Sequence, residues 1–247
     1  MENLLKAELY KLSRSRTLFY LMLLLFLTNT FGIITNTLLK TYTMYGQDAI
    51  FQAGTSVNAM WFGTFAGFFI ASEFQNGGIR NVIALGKKRA YVFMAKVFSM
   101  ILCIAILLCV IVIVQIIGNS IVTGFGSKSL IEFTVFLLKN FTHLVVFHLA
   151  YAGFFTMFAF LTQKAGLTIL LSFCFEAFIL VCGGFFENFK GINLKPFLQL
   201  FPHYYYTKID FNLTNDQFLV NGYIVCLLYF LVPVIISILV FKRTDIK

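Results

Sequence analysis

Apolar residues run through this sequence in long unbroken blocks, separated by short polar intervals. Six blocks, 17–39, 55–72, 97–117, 136–161, 167–186 and 223–241, lie near the roughly 20 residues a helix needs to cross about 30 Å of hydrocarbon. They are continuous rather than alternating ten-residue segments, so they predict helices and not a barrel. The reading is an all-α integral membrane protein, one transmembrane domain over 1–247, with six transmembrane helices. Lys139, Asn140 and His143 push the deep part of the fourth span later. Before the first block, Leu5, Leu9 and Leu12 fall at i, i+4 and i+7, and Lys6, Lys11, Arg14 and Arg16 spread over the remaining arc. That pattern suits a helix lying in the membrane interface over 1–16. The first block is too long for a signal-peptide core and ends without a small-residue cleavage site, so it reads as an uncleaved span.

The polar interval 72–96 is the longest basic one in the first half of the chain. Within it Ile79, Val82 and Ile83 fall at i, i+3 and i+4, giving a narrow apolar face on a two-turn helix over 79–85. Gly77 and Gly78 break the chain before it, and Gly86 is placed to supply a left-handed C-terminal cap. Lys87, Lys88 and Arg89 follow, suited to the negative helix end and to anionic lipid. Such a helix, held between two spans, can dock on a soluble partner; it can equally be an interfacial anchor that only fixes topology. At the other end, 40–54 and 118–132 are modest loops, while 187–222 is a longer polar-aromatic excursion. A short helix is expected between Pro196 and Pro202, with Tyr204, Tyr205 and Tyr206 as an aromatic belt at headgroup level.

Composition and charge sharpen this picture. The sequence is 60% hydrophobic and only 12% charged, too apolar to cover a surface in water. Its net charge of +9 is concentrated in a few inter-span segments, as topology and anionic headgroups require, and not spread as a nucleic-acid surface. With both termini cytoplasmic, thirteen Lys and Arg lie inside and six outside. That asymmetry orients the chain. The five cysteines all fall in apolar blocks without a CxxC pair, and read as free thiols.

Catalytic chemistry finds little to stand on. No phosphate-binding G-x-x-x-x-G-K-[ST] loop is present: before Gly86-Lys87 the first glycine position holds Asn81, and Lys88 replaces Ser or Thr. His143 and His148, about 140° apart on a helix, do not make a one-face metal pair. Two intramembrane features remain. Ala59, Gly63, Gly67 and Ala71 form a small-residue stripe along span two, where another helix can approach, within the subunit or across a dimer. Glu176 is the one acid deep in a span, placed to line a translocation path or to pair with His143, His148 or Gln115.

The opening LLKAELYKLSRSR and the stretch SEFQNGGIRNVIALGKKRAYVFMAK together resemble the bacterial type-two ABC transporter permeases, with lantibiotic-immunity permeases and phenol-soluble modulin exporters among the small six-span members. In that family an acid follows span two, a glycine and arginine lead into a coupling helix, and a glycine-plus-basic element precedes a lysine at span three. The matching positions are Glu73, Gly78, Arg80, Gly86, Arg89 and Lys96; Glu8 and Lys11 match the interfacial elbow helix. Ile79 stands where a threonine is common. The resemblance implies a non-enzymatic permease subunit, a separate cytoplasmic ATPase carrying ATP and Mg, and a homodimer or a heterodimer with a sister permease in the lipid. The coupling surface it implies is Glu73, Gly78, Ile79, Arg80, Val82, Ile83, Gly86 and Arg89. Export of amphipathic peptides or lipophilic toxins is the activity expected; a membrane scaffold or sensor that binds a cytoplasmic regulator is the alternative.

Overall fold

The computed structural model describes residues 2–40, 44–52, 56–188, 197, 199–207 and 216–243, and among them the structure is helical. The interfacial helix α1 is Glu2–Ser13, followed at once by α2, Arg16–Leu39. Ser15 separates them, its hydroxyl accepting from the Leu18 N–H as an N-cap. A 3-10 turn, Gly46–Gln52, leads to α3, Ser56–Phe65. The chain continues through a π-helical turn, Ala66–Ala71, into the short α4, Ser72–Gln75, and α5, Gly78–Ala84. Two long helices form the centre: α6, Arg89–Thr123, and α7, Leu130–Thr162. Then come α8, Ala165–Asn188, the short α9, Pro202–Thr207, and α10, Asp216–Arg243.

Four of these helices, α2, α6, α7 and α10, are long and apolar enough to cross a membrane, and Ala165–Val181 is a shorter apolar helix. Several boundaries differ from those the sequence predicts. α6 begins at Arg89 and not near 97, and α7 at Leu130 and not near 136, because the polar ends of both blocks continue the helix. Ser129 and Glu132 close a capping box that fixes the start of α7. Part of the predicted outer loop is helix, since α10 already starts at Asp216. Of the predicted 196–202 helix, Phe197 is helical and Gln199 and Leu200 form a turn, the Leu200 N–H donating to the Phe197 carbonyl at 3.1 Å; the helix Pro202–Thr207 covers the tyrosines instead. Tyr204 and Tyr205 are buried against Phe147, Cys226 and Phe218, so they are packing residues rather than a headgroup belt.

α2 leans on α6 through a hydrogen-bonded ladder. Gln115 donates to Asn29 Oδ1 at 2.9 Å, and Asn119 donates to Gln115 Oε1 at 3.1 Å. Amides buried among apolar side chains must find partners, so this ladder fixes which faces meet. α10 crosses α7 at Gly153, where an added Cβ would lie 2.7 Å from the Phe230 carbonyl oxygen and 3.0 Å from that of Tyr229. Pro233 has no N–H, so the Tyr229 carbonyl loses its usual donor four residues on. The absence of a side chain at Gly153 lets α7 close over this stretch.

Candidate functional site

The 72–96 interval, α1 and the last turn of α10 meet at one end of the bundle. α5 spans Gly78–Ala84, within a residue of the predicted 79–85. Gly77 at φ +72° and Gly86 at φ +79° bracket it, both in the left-handed region that favours glycine. No atom lies within 4 Å of a Cβ added at either, so conformation alone demands glycine there.

The helix does not present the face that its apolar spacing suggests. Ile79 is fully buried, and Val82 and Ile83 pack against the core. They rest near an aromatic floor in which Phe74, Phe160 and Phe241 meet edge to face at centroid distances of 4.9–5.9 Å, with Phe93 on Phe160 at 4.8 Å. The outward face is Arg80, Asn81, Ala84 and Leu85, continuing into Gly86, Lys87 and Lys88. A narrow apolar face finds its own protein first.

Beneath the helix lies a four-residue ion network that draws in α1. Lys96 is 1% exposed, yet its Nζ lies 2.7 Å from Glu8 Oε2 and 2.8 Å from Glu73 Oε1. Lys11 bridges the same two carboxylates at 3.0 and 3.1 Å. The Phe69 ring lies 4.7 Å from the Lys96 ammonium and supplies a cation–π contact. Two cations thus face two anions, and three separate elements, α1, α4 and α6, are tied by charge-assisted bonds. Burial alone would lower the pKa of Lys11, but the carboxylates of Glu73 and Glu8 outweigh it and leave the pKa raised. The inward face of α1 is accordingly Leu4, Glu8 and Leu12, with Leu5 and Leu9 on its flank.

Three further hydrogen bonds lock the loop to distant parts of the chain. Arg89 Nη1 donates to the carbonyls of Phe241 at 3.0 Å and Lys242 at 3.1 Å, satisfying the C-terminal turn of α10. Arg89 therefore acts as a clamp and not as part of a free basic triplet. Gln75 Oε1 accepts from the Ala165 N–H at 3.2 Å, at the turn between α7 and α8.

The geometry decides which predicted residues belong together. Glu73, Gly78, Ile79, Arg80, Val82, Ile83, Gly86 and Arg89 do gather at one site, but Glu73, Ile79 and Arg89 face inward. Lys96, Glu8 and Lys11 matter as much, although Lys96 lies 85 or more residues from the other two, across the α1–α6 contact. Residues 4–183, about three quarters of the sequence, match the family described as ABC-2 family transporter protein. The chain belongs to that family. This makes it the membrane component of an ABC transporter, of a kind that works with a cytoplasmic ATPase. No curated protein sequence matches it.

The intramembrane candidates of this ABC-2 family chain sit apart from the loop. The stripe Ala59, Gly63, Gly67 and Ala71 packs within the subunit: a Cβ at Gly63 would lie 2.1 Å from Ser172 Cβ, and one at Gly67 would lie 2.5 Å from Ile169 Cγ1. Glu176 is fully buried, but with none of the partners expected for it. Gln115 bonds to Asn29, His143 meets the Tyr223 hydroxyl, and His148 Nδ1 sits 2.7 Å from the Leu144 carbonyl oxygen. Among the described cysteines, Cys103, Cys109, Cys174 and Cys226 are free thiols.

Proposed function

We propose that this chain is the permease subunit of an ATP-driven exporter that moves amphipathic peptides or lipophilic toxins out of the cell. The observation that carries the reading is the exposed, basic outward face of α5, held by the part-buried Glu8–Lys96–Glu73–Lys11 network. A rigidly backed short helix transmits displacement; a helix that only anchored topology would need no such backing. In this reading the chain crosses six times and both termini face the cytoplasm, a topology supported by the thirteen-to-six distribution of cations. α5 then meets an ATPase that carries ATP and Mg, through Arg80, Asn81, Leu85 and Lys87. Motion of the loop passes to α3 through α4, to α6 through Lys96, and to α10 through Arg89.

Two copies, or one copy and a sister permease, form the transport unit. Glu176 lines the path of the substrate. The ABC-2 family membership and the backed helix together favour transport over a scaffold or sensor role. The test is expression of the full chain with its cognate P-loop ATPase. Co-purification is expected, as is loss of chain-stimulated ATP hydrolysis when Arg80, Lys87 and Lys88 are changed to Glu. Retained stimulation in that folded variant would sink the docking assignment.

A further inference from the structure

α3 and α8 run antiparallel along a seam whose register is set by Gly63 on Ser172 and Gly67 on Ile169. One turn beyond Ser172, Glu176 reaches the level of Ala59, on the same face of α8 as Thr168 and Ser172. Those two hydroxyls have partners: Ser172 donates to the Thr168 carbonyl at 2.8 Å, and Thr168 Oγ1 lies 3.0 Å from the Lys164 carbonyl and 2.7 Å from Thr162 Oγ1. Glu176 is enclosed as completely as they are, yet neither carboxyl oxygen has a hydrogen-bond partner among the described residues. An acid at mid-span is costly unless it faces a partner or a cavity. A buried polar group without a partner is unusual, and an acid in a span calls for a partner or a cavity that the described residues do not supply.

The same seam contains the π-helical turn Ala66–Ala71. Its signature is the Ser72 N–H reaching the Gly67 carbonyl, five residues back. The turn carries one extra residue, so drawing it out into regular α-helix rotates α3 by about 100° and shifts it by about 1.5 Å relative to α4. Gly63 and Gly67 permit the close approach that keeps the seam shut in this register, since a Cβ at either would overlap Ser172 or Ile169. The turn leads directly into α4 and the docking helix, where a displacement would be applied.

We propose that Glu176 is a binding site for a lipophilic or amphipathic cation, closed in this structure and uncovered when α3 changes register along α8 at the π-turn. This deepens the transport reading and rests on it, because it names the charge class of the substrate. The test uses the full chain in lipid nanodiscs without ATPase or nucleotide. Dicyclohexylcarbodiimide labelling of Glu176 is followed by mass spectrometry. Native protein labels slowly. Gly63→Ala or Gly67→Ala, which wedge the seam, raise the rate by about tenfold or more, and tetraphenylphosphonium suppresses the gain. Gly32→Ala, whose Cβ meets nothing within 4 Å, behaves as native.

Equal labelling of native and wedged chains, or no protection by tetraphenylphosphonium, overturns the proposal. Should the wedged chains fail to fold, calorimetry of tetraphenylphosphonium on native protein and on Glu176→Gln decides. A loss of affinity of about tenfold is expected, and equal affinity refutes the site. Failure of the ATPase to co-purify would instead strike the transport reading and leave these measurements unchanged.

Discussion

Lys96→Met is the sharpest perturbation of the coupling end. It removes a buried cation that two carboxylates approach at 2.7 and 2.8 Å, and leaves the methylene stem's volume in place. Breaking a buried ion pair from one side costs about 3–5 kcal/mol, because the surviving charge stays enclosed. Here the lower figure applies: Lys11 still holds both carboxylates, and the Glu73 side chain is 19% exposed. About 3 kcal/mol corresponds to a drop of roughly 6–12 °C in melting temperature for a chain of this size. Adding Glu8→Gln removes the stranded charge and should return about 1–3 kcal/mol of that loss. Thermal melting of the nanodisc-embedded chain reads both variants, and hydrogen exchange over Gly78–Ala84 should quicken in the single variant. If Lys96→Met melts within about 2 °C of the parent, or the two substitutions add, the network is not what holds the loop.

Other outcomes follow from the same geometry. Gly153→Ala forces a Cβ against backbone of α10, which cannot rotate away as a side chain can; a loss of about 1–3 kcal/mol is expected in the same melt, and a neutral result refutes the crossing. Gly77→Ala and Gly86→Ala meet no clash, so each should cost only about 1–2 kcal/mol of left-handed strain, with Asn at the same positions milder. Arg89→Ala should fray the last turn of α10, seen as hydrogen exchange about tenfold faster after Ile238, while unchanged exchange removes the clamp. The raised pKa of Lys11 sets an alkaline limit. A cation whose pKa rises on folding contributes fully below its unfolded value of 10.5 and is lost as pH climbs through the folded one. Stability should therefore decline above pH 10.5, more steeply in the parent than in Lys11→Met, and equal slopes would falsify the assignment.

The helical class and α5 were legible because both are written in local pattern. Apolar runs and two glycines flanking a short amphipathic stretch need no knowledge of distant residues. The face of α5 was not legible in the same way. Ile79, Val82 and Ile83 satisfy the spacing of a docking surface, yet an apolar edge beside Phe74, Phe160 and Phe241 gains most by burial on its own chain. Glu8, Glu73 and Lys96 each carry a local signal of charge at the edge of an apolar block. Their pairing spans up to 88 residues and follows only from the way α1 lies on α6. The tyrosines at 204 and 205 illustrate the same limit, since burial or exposure of an aromatic residue near a span end depends on whether another helix stands beside it. Gly153 carried no signal, because its motif is the single missing side chain at a crossing.

The Arg89 clamp also bears on how the protein is made. Its carbonyl acceptors lie 152 and 153 residues further along the chain. At about 5–20 residues per second, roughly 8–30 s of synthesis separate Arg89 from the carbonyls it caps. Until then α5 lacks both the Arg89 bonds and the Phe241 edge of its aromatic floor. α10 is therefore the keystone of the platform, and under the proposed docking a partner that reads the finished shape of α5 is spared engagement with chains that lack α10.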